Sequence, residues 1–398
     1  MKSSALGPIG FSTSAISLGP PTTYAFGSGK NWLFLIEDGE DSDAYGLAYS
    51  SESGNDVHVG RCTPTVTGVT RVEDPIDLVT AADLKQDFTN SAGTPEESYD
   101  SLADHWHIYA HGYHWIAVSL VYDAAGCGVL LIKFSLDKSG EWTDEWRKVV
   151  QDPEWDSRSP PNVLNPTNDL CMVEGPDGGV YVVVDSAPAF RSGPPPATTD
   201  DPFYDQGTLW IPVDRDGAVG TKVVVNGTSS APELAHYGGA SVTRRGKYGG
   251  APGPSYRFSS YRLLAPEFTA VSQDSDIKLI VLDADLDSTA ASVETLVSRT
   301  GHAYSMVTEV WIDSARAMVI KGVETGASGE SGRLWLYTYG RPTTTTPDAM
   351  ERLLDDIGDP ITMGQRPHVV YWESNNLLIV AFDIEGTNLT FLNVRKVR

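Results

Sequence analysis

At 398 residues the chain exceeds the size at which a single compact core stops growing, about 250–300 residues, so either two domains or one repeat-built domain is expected. The net charge of −24, with 29 Lys+Arg against 53 Asp+Glu, repels phosphate backbones and argues against nucleic acid as a partner. Three scattered cysteines (Cys62, Cys127, Cys171) with no C-x-x-C pair argue against a disulfide framework or zinc knuckle, and no stretch reaches the roughly 18–20 apolar residues of a membrane span.

In chain order, the first segment, "MKSSALGPIGFSTSAISLGPP", has an apolar region interrupted by Gly7, Pro8 and Gly10. No signal peptide is expected, so the protein is expected to be cytoplasmic when made, with a virion as a further destination. Two short helical windows follow, Thr80–Phe88 and, further on, Thr346–Gly358, the second opened by Thr-Pro and closed by Gly. The rest reads as β-branched and aromatic runs cut by Gly, Pro, Asn and Asp.

Those runs recur in a fixed order: strand, turn, strand, loop, strand. The order appears in Tyr24–Ser51, His107–Asp137, Leu170–Asp214, Ala240–Asp285, Glu309–Gly340 and Arg366–Val394, with outer strands at Asp144–Asp152, Gly220–Gly227 and Ala291–Ser298. Six copies in an all-β chain predict a six-bladed β-propeller in one domain. The predicted blades span approximately 13–79, 80–155, 156–232, 233–298, 299–360, and 361–398 joined by 1–12. The last copy has three strands, and an open edge favours completion by an N-terminal segment. "GPIGFS" (Gly7–Ser12) echoes "DPIDLV" and "DPITMG", which assigns that role to Ser3–Phe11.

Four of the eight histidines crowd into "DHWHIYAHGYHW" (Asp104–Trp115). Strand alternation puts His105, His107 and Tyr109 on one face and Trp106 and Ile108 on the other, with a turn at Gly112-Tyr113 that aims His111 and His114 away from the first pair. A His-x-His pair can hold a transition metal, with Asp104 or a neighbouring strand end as third ligand. Lining a ligand-binding channel is a second reading, and ordinary packing between blades a third. "DADLDSTAASVE" places Asp283, Asp285, Asp287 and Glu294 at positions 1, 3, 5 and 12 of a calcium loop, with Ser288 where the turn glycine belongs. Calcium is the one cofactor expected on this ground. A solvated acidic loop is the competing account.

Two long segments, Asp185–Gly207 and Arg244–Arg262, read as loops carrying aromatic and arginine contacts: Phe190, Arg191, Phe203 and Tyr204 in one, Tyr256, Phe258 and Tyr261 in the other. Carboxylates predicted at inner strand ends are Asp104, Asp169, Glu174, Glu309 and Glu373, and glycosidic cleavage needs two of them. "SLDKSGEW" (Ser135–Trp142) resembles the Asp-box hairpin of the sialidase superfamily, with one extra residue before Gly140. The resemblance implies a propeller. The Arg-Ile-Pro motif that supplies an arginine in that superfamily is absent.

No P-loop, Gly-x-Ser-x-Gly elbow or His-Glu-x-x-His occurs. The leading expectation is therefore a non-catalytic binding or structural propeller in a larger assembly, such as a bacteriophage tail or host-attachment component contacting protein or glycan. The alternatives are a glycan-active hydrolase or lyase with its site at one mouth of the channel, and a metal-dependent enzyme built on His105 and His107.

Overall fold

A computed structural model of the chain describes residues 17–37, 45–53, 56–71, 75–79, 88–89, 95–96, 101–122, 126–136, 141–150, 170–185, 207–226, 241–245, 255–263, 275–283, 285–286, 292–298, 302–312, 315–324, 333–339, 349–352, 367–384 and 387–398. Strand β1 (Thr22–Ser28) leads into a sheet of β2 (Lys30–Glu37), β3 (Tyr45–Ser53), β4 (Asp56–Thr65) and β5 (Gly68–Arg71), with β6 (Ile76–Val79) also paired to β4. A short ribbon, β7 (Phe88–Thr89) with β8 (Pro95–Glu96), precedes the second sheet, β9 (Ser101–Ala110), β10 (Tyr113–Tyr122), β11 (Gly126–Leu136) and β12 (Trp142–Val150). The third holds β13 (Cys171–Glu174), β14 (Val180–Asp185), β15 (Gly207–Val213) and β16 (Val223–Asn226). The fourth holds β17 (Ser241–Arg245), β18 (Ser255–Leu263), β19 (Ser275–Asp283) and β20 (Ser292–Ser298). The fifth holds β21 (His302–Ile312), β22 (Ala315–Glu324), β23 (Arg333–Tyr339) and β24 (Ala349–Arg352). The last consists of β25 (His368–Trp372), β26 (Leu377–Asp383) and β27 (Leu389–Lys396), completed on its outer edge by β1.

All pairings are antiparallel, and the first strand of each sheet contacts the first strand of the next: β2 with β9, β9 with β13, β13 with β17, β17 with β21, β21 with β25, and β25 with β2. That cycle of first strands around a centre is the arrangement of a β-propeller. Side chains are described for most of the first, second, third and last sheets; the fourth and fifth are defined mainly by backbone. Among the described residues the one helical element is a 3₁₀ turn at Glu373–Asn375.

The core is layered between sheets. One cluster joins the second and third (Trp115, Leu131, Met172, Val182, Trp210), one joins the first and second (Phe34, Val59, Ile116, Val118, Ile132), and one joins the first and last (Leu33, Tyr49, Trp372, Ile379, Leu392). Because both faces of an inner strand are covered, Trp115–Leu120 of β10 is buried at every position, while the outer strand β12 is largely exposed. Each large apolar side chain so buried contributes roughly 1.5–3 kcal/mol.

Three sequence expectations are corrected. The strand that completes the last sheet is Thr22–Ser28, not Ser3–Phe11, which lies outside the described residues; Thr22 pairs with Val394 and Tyr24 with Leu392. The alternation in "TTYAFGS" explains the choice: Phe26 is buried and Tyr24 packs on the cluster shared by the first and last sheets. Tyr24 therefore belongs to the last sheet, and Gly29, at φ 81°, turns the chain into the first. Second, the window Thr346–Gly358 contains strand β24, whose Ala349–Arg352 pairs with Trp335–Thr338 of β23; of Thr80–Phe88 only Phe88 is described, in β7. Third, Tyr256, Phe258 and Tyr261 stand in strand β18, opposite Leu282, Ile280 and Ile277 of β19, and not in a loop.

A clasp holds the closure. The Arg71 guanidinium lies 4.5 Å from the Phe26 ring centre and 4.1 Å from that of Tyr49, and its Nη1 donates to the Phe26 carbonyl at 3.0 Å. It thereby ties β5 of the first sheet to β1 of the last. Arg71→Ala is expected to lower unfolding stability by about 2–3 kcal/mol, the sum of a charged hydrogen bond and stacking. Urea denaturation checks this, and an unchanged midpoint would show that the clasp contributes nothing.

Candidate functional site

The histidine strip is buried between the first and second sheets. His105 and His107 both face β2: the His105 ring lies 3.7 Å from Trp32 and the His107 ring 3.7 Å from Phe34, the latter stacked at 27°. As the contacts advance together along both strands, β2 and β9 run the same way.

His114 joins this face, contrary to the sequence expectation. Its Nδ1 is 3.1 Å from His107 Nε2, and its ring stacks on Phe134 at 5.2 Å. The cause is strand alternation carried through the hairpin. The hairpin reverses at His111-Gly112, both at positive φ (55° and 82°), as a two-residue turn of this kind requires. Ala110 then pairs with Tyr113 and Tyr109 with His114, and residues directly opposite in an antiparallel pair share a face, so His114 stands with His105, His107 and Tyr109. His111 sits outside the strip, 3.6 Å from Glu174.

Burial pushes the His107 imidazole well below the ordinary histidine value of 6.5, with His114, His368 and His105 adding to the effect, and it lowers His114 to about 3. Both rings are neutral near pH 7, and one donates to the other. The His107 Nε2 is thus engaged by His114, and among the described residues no three His, Cys, Asp or Glu side chains converge as a metal site. The His105/His107 pair is packed on aromatic rings of β2.

At the centre, a cavity of about 370 Å³ is lined by Leu33–Leu35 of β2, His107–Tyr109 of β9, Val310 of β21 and His368–Tyr371 of β25. His368 stands edge-on to Trp106 at 5.5 Å. Four of the six first strands therefore meet around one space, which gathers His107, Tyr109, His368 and Tyr371 from distant parts of the chain. The sequence expectation singled out His107 and Tyr109. It missed His368 and Tyr371, although "HVVYW" opens the last repeat at the place where "HIYAH" opens the second.

The remaining candidates separate. Asp104 lies on β9, three residues before His107, and Glu309 lies on β21 beside Val310. Glu174 ends β13 and Glu373 stands exposed in the 3₁₀ turn, while Asp169 is outside the described residues. Asp283 ends β19, Asp285 is exposed in the following turn, and Asp287 is not described. Glu294 pairs in register with Leu279, on the strand that Asp283 ends. Phe190, Arg191, Phe203 and Tyr204 lie outside the described residues. The Asp-box-like segment falls at the β11–β12 connection, where Leu136 pairs with Trp142 and Trp142 packs on Phe134 at 4.9 Å. No helix among the described residues is long and apolar enough to cross a membrane.

No family model matches the sequence, and no curated protein matches it. Among solved structures, the chain is similar to an α-L-arabinanase of Penicillium chrysogenum complexed with arabinobiose (13% identity, 73% of this chain and 77% of that one, TM-score 0.45). It is also similar to a levansucrase of B. megaterium (10% identity, 79% and 88%, TM-score 0.46) and to a family-43 endo-arabinanase of Bacillus licheniformis (11% identity, 85% and 99%, TM-score 0.40). The leading sequence expectation, a non-catalytic propeller of a virion or other assembly, is corrected here: these neighbours are carbohydrate enzymes. The absence of sequence motifs on which that expectation rested is no evidence against catalysis, because a propeller assembles its site from separate strands and not from a contiguous motif.

The buried imidazoles make stability depend on pH. Their folded values lie below the unfolded value of about 6.5, so the unfolded chain binds protons first as pH falls, and stability declines from about 6.5 downward. Each contributes a slope of about 1.4 kcal/mol per pH unit in that range. Urea midpoints between pH 7 and 5 should show the decline, and His114→Phe should remove one proton's share of it; an unchanged slope in the variant would mean that His114 does not titrate in the unfolding equilibrium.

Proposed function

We propose that the chain is a glycan-active enzyme, a hydrolase or lyase, whose sugar substrate reaches the central cavity, and that the six sheets are six blades of a single propeller domain. The observation that carries this reading is the cavity of about 370 Å³, with aromatic and imidazole groups from three first strands in its wall. Its size falls within the ~300–1,000 Å³ range of small-molecule sites, and its mixture of apolar wall with a few polar groups is what such sites use. A sugar ring has apolar C–H faces that suit Phe34, Tyr109 and Tyr371, and hydroxyls that suit neutral imidazole and phenol groups, which both donate and accept.

The chemistry asks for carboxylates. Hydrolysis uses one as acid and a second as base or nucleophile. Asp104 and Glu309 hold the relevant backbone positions, on β9 and β21, two strands that line the cavity. We assign them as the candidate pair. A lyase would instead take a proton from the carbon next to a uronate carboxylate, a task for a neutral imidazole or a phenolate.

A panel of neutral furanose and pyranose polymers and of uronate polymers tests the reading, with reducing ends and the ultraviolet absorbance of unsaturated ends as readouts. Cleavage of at least one polymer is expected, and Asp104→Asn or Glu309→Gln should slow hydrolysis by about 10²–10⁴-fold at unchanged thermal stability. Unsaturated ends would select the lyase chemistry. A panel that yields no product overturns the proposal.

A further inference from the structure

His107 stands in the wall of the central cavity with one ring nitrogen committed: its Nε2 is 3.1 Å from His114 Nδ1. Nδ1 is the nitrogen left for a substrate, and it is not sealed from solvent. We infer that His114, which is not part of the wall, is a positioning residue: it donates its Nδ1–H to His107 and so holds a neutral Nδ1–H of His107 ready to donate to a sugar oxygen in the cavity. This rests on the glycan reading for its substrate, and adds to it the polarity of one contact and the residue that sets that polarity.

Hydrogen counting selects the polarity. A neutral imidazole carries one N–H and one bare nitrogen, and only one hydrogen fits in the bond between the rings. If His107 donated from Nε2, its Nδ1 would be a bare acceptor and His114 would carry its hydrogen on Nε2. If His114 donates from Nδ1, its own Nε2 is bare and His107 carries its hydrogen on Nδ1. The surroundings of His114 separate the two. Its ring is 1% exposed, enclosed by Phe134 at 5.2 Å, Tyr109 at 4.9 Å and Phe34 at 5.7 Å, and His107 is its one hydrogen-bond partner among the described residues. A buried N–H without an acceptor is rarer than a buried acceptor left unused. The first arrangement would leave an N–H of His114 among aromatic rings. The second leaves only a lone pair there, and turns the His107 hydrogen toward the oxygen of water or substrate.

The same bond orients the ring. Stacking on Phe34, with centres 3.7 Å apart and planes at 27°, restricts the plane of the His107 imidazole. A half-turn about the Cβ–Cγ bond would keep that plane, but it would withdraw Nε2 from His114 and exchange Nδ1 for a C–H. The His114 bond therefore selects one of two stacked orientations, the one that keeps a nitrogen on the cavity side. Burial, with the neighbouring histidines His114, His368 and His105, keeps His107 neutral near pH 7, so the contact is a neutral donor and not a cation.

Two-bond hydrogen–nitrogen correlation spectra of the full chain, carrying isotope-labelled histidine at neutral pH, read which nitrogen of each ring holds the hydrogen. His107→Phe and His114→Phe assign the signals, and either one suffices. The hydrogen is expected on Nδ1 in both rings. Steady-state cleavage, with linear arabinan, linear galactan and polygalacturonate as probes, reads the consequence. His114→Phe, which keeps a stacked ring and loses the bond, is expected to lower kcat/KM about tenfold. His114→Asn is expected to recover most of that loss, because its side-chain nitrogen stands as many bonds from the backbone as Nδ1 and can donate in its place. If the His114 variants fail to fold, the spectra of the parent decide. A hydrogen on Nε2 of His107 overturns the inference, as does a folded His114→Phe that cleaves as the parent does, or a folded His114→Asn that cleaves no better than His114→Phe. A parent that cleaves no polymer of the panel overturns the glycan reading instead, and the role of His107 falls with it whatever the tautomers.

Discussion

Closure of the ring by β1 is the constraint on which the rest of the structure depends. A cycle of sheets has no free face only if its last member meets its first, and here the junction is made by a strand that stands 361 to 372 residues from its partners in register. Thr22–Ser28 pairs along β27, the Asn393 amide donates to the Thr23 hydroxyl at 2.8 Å, and the Asn31 amide donates to the Thr390 hydroxyl at 3.0 Å. Forming these contacts requires a loop of nearly the whole chain to close, which carries a loop-closure entropy cost. The central cavity exists only because of them: its walls come from β2 and β9 at the start of the chain and from β21 and β25 near its end.

The histidine strip shows how polar groups are accommodated in such a layered core. His105, His107 and His114 are buried in a chain of net charge −24, yet the two whose titration is resolved are held neutral by desolvation and not charged by surrounding acids. Stacking on Trp32, Phe34 and Phe134 covers their faces, while the His107–His114 bond satisfies two ring nitrogens at once. A buried polar group that is hydrogen-bonded costs little, and the same pairing fixes the tautomers. Of the three, His107 also reaches the cavity.

How much of this was legible in sequence follows from the range of the forces involved. Strand runs and their repeat order are local, and the stretches Leu170–Asp214 and Arg366–Val394 read directly as the sheets they form. The His111-Gly112 turn was nearly legible, one residue from Gly112-Tyr113, and in either register His114 stands opposite an odd-numbered residue, Tyr109 or His111, so its place on the face of His105 and His107 was open to reading from alternation alone. Tyr256, Phe258 and Tyr261 were hidden by the Gly- and Pro-rich run before them, which masked the β-forming "SYRFSSYRL" of β18. In Thr346–Gly358 the helical pattern lost to the open edge of β23, a tertiary contact that overrides local propensity. The closing strand was the least legible, since a local echo in "GPIGFS" competed with pairing to residues at the far end of the chain. Carboxylates were no guide to function: in so acidic a chain their presence near strand ends carries little information until the fold selects among them.

The first sheet shows how closure is built from small steps. Its outer position is split: β5 pairs with β4 at Cys62–Thr65 and β6 pairs with β4 at Val57–Val59. Between these pairings lies Gly60, where a Cβ would stand only 2.6 Å from the Tyr49 ring. Glycine there lets Tyr49 lie against the backbone of β4, and the ring in that position is one of the two that the Arg71 guanidinium contacts, Phe26 of β1 being the other. The two rings meet edge-on at 5.4 Å. Gly27, next to Phe26, leaves room for the same guanidinium, since a Cβ there would collide with Nη1. Two glycines, two aromatic rings and one arginine therefore form a continuous chain of contacts from β4 to β1. The residue that clasps the ring thus depends on two glycines for the space it occupies.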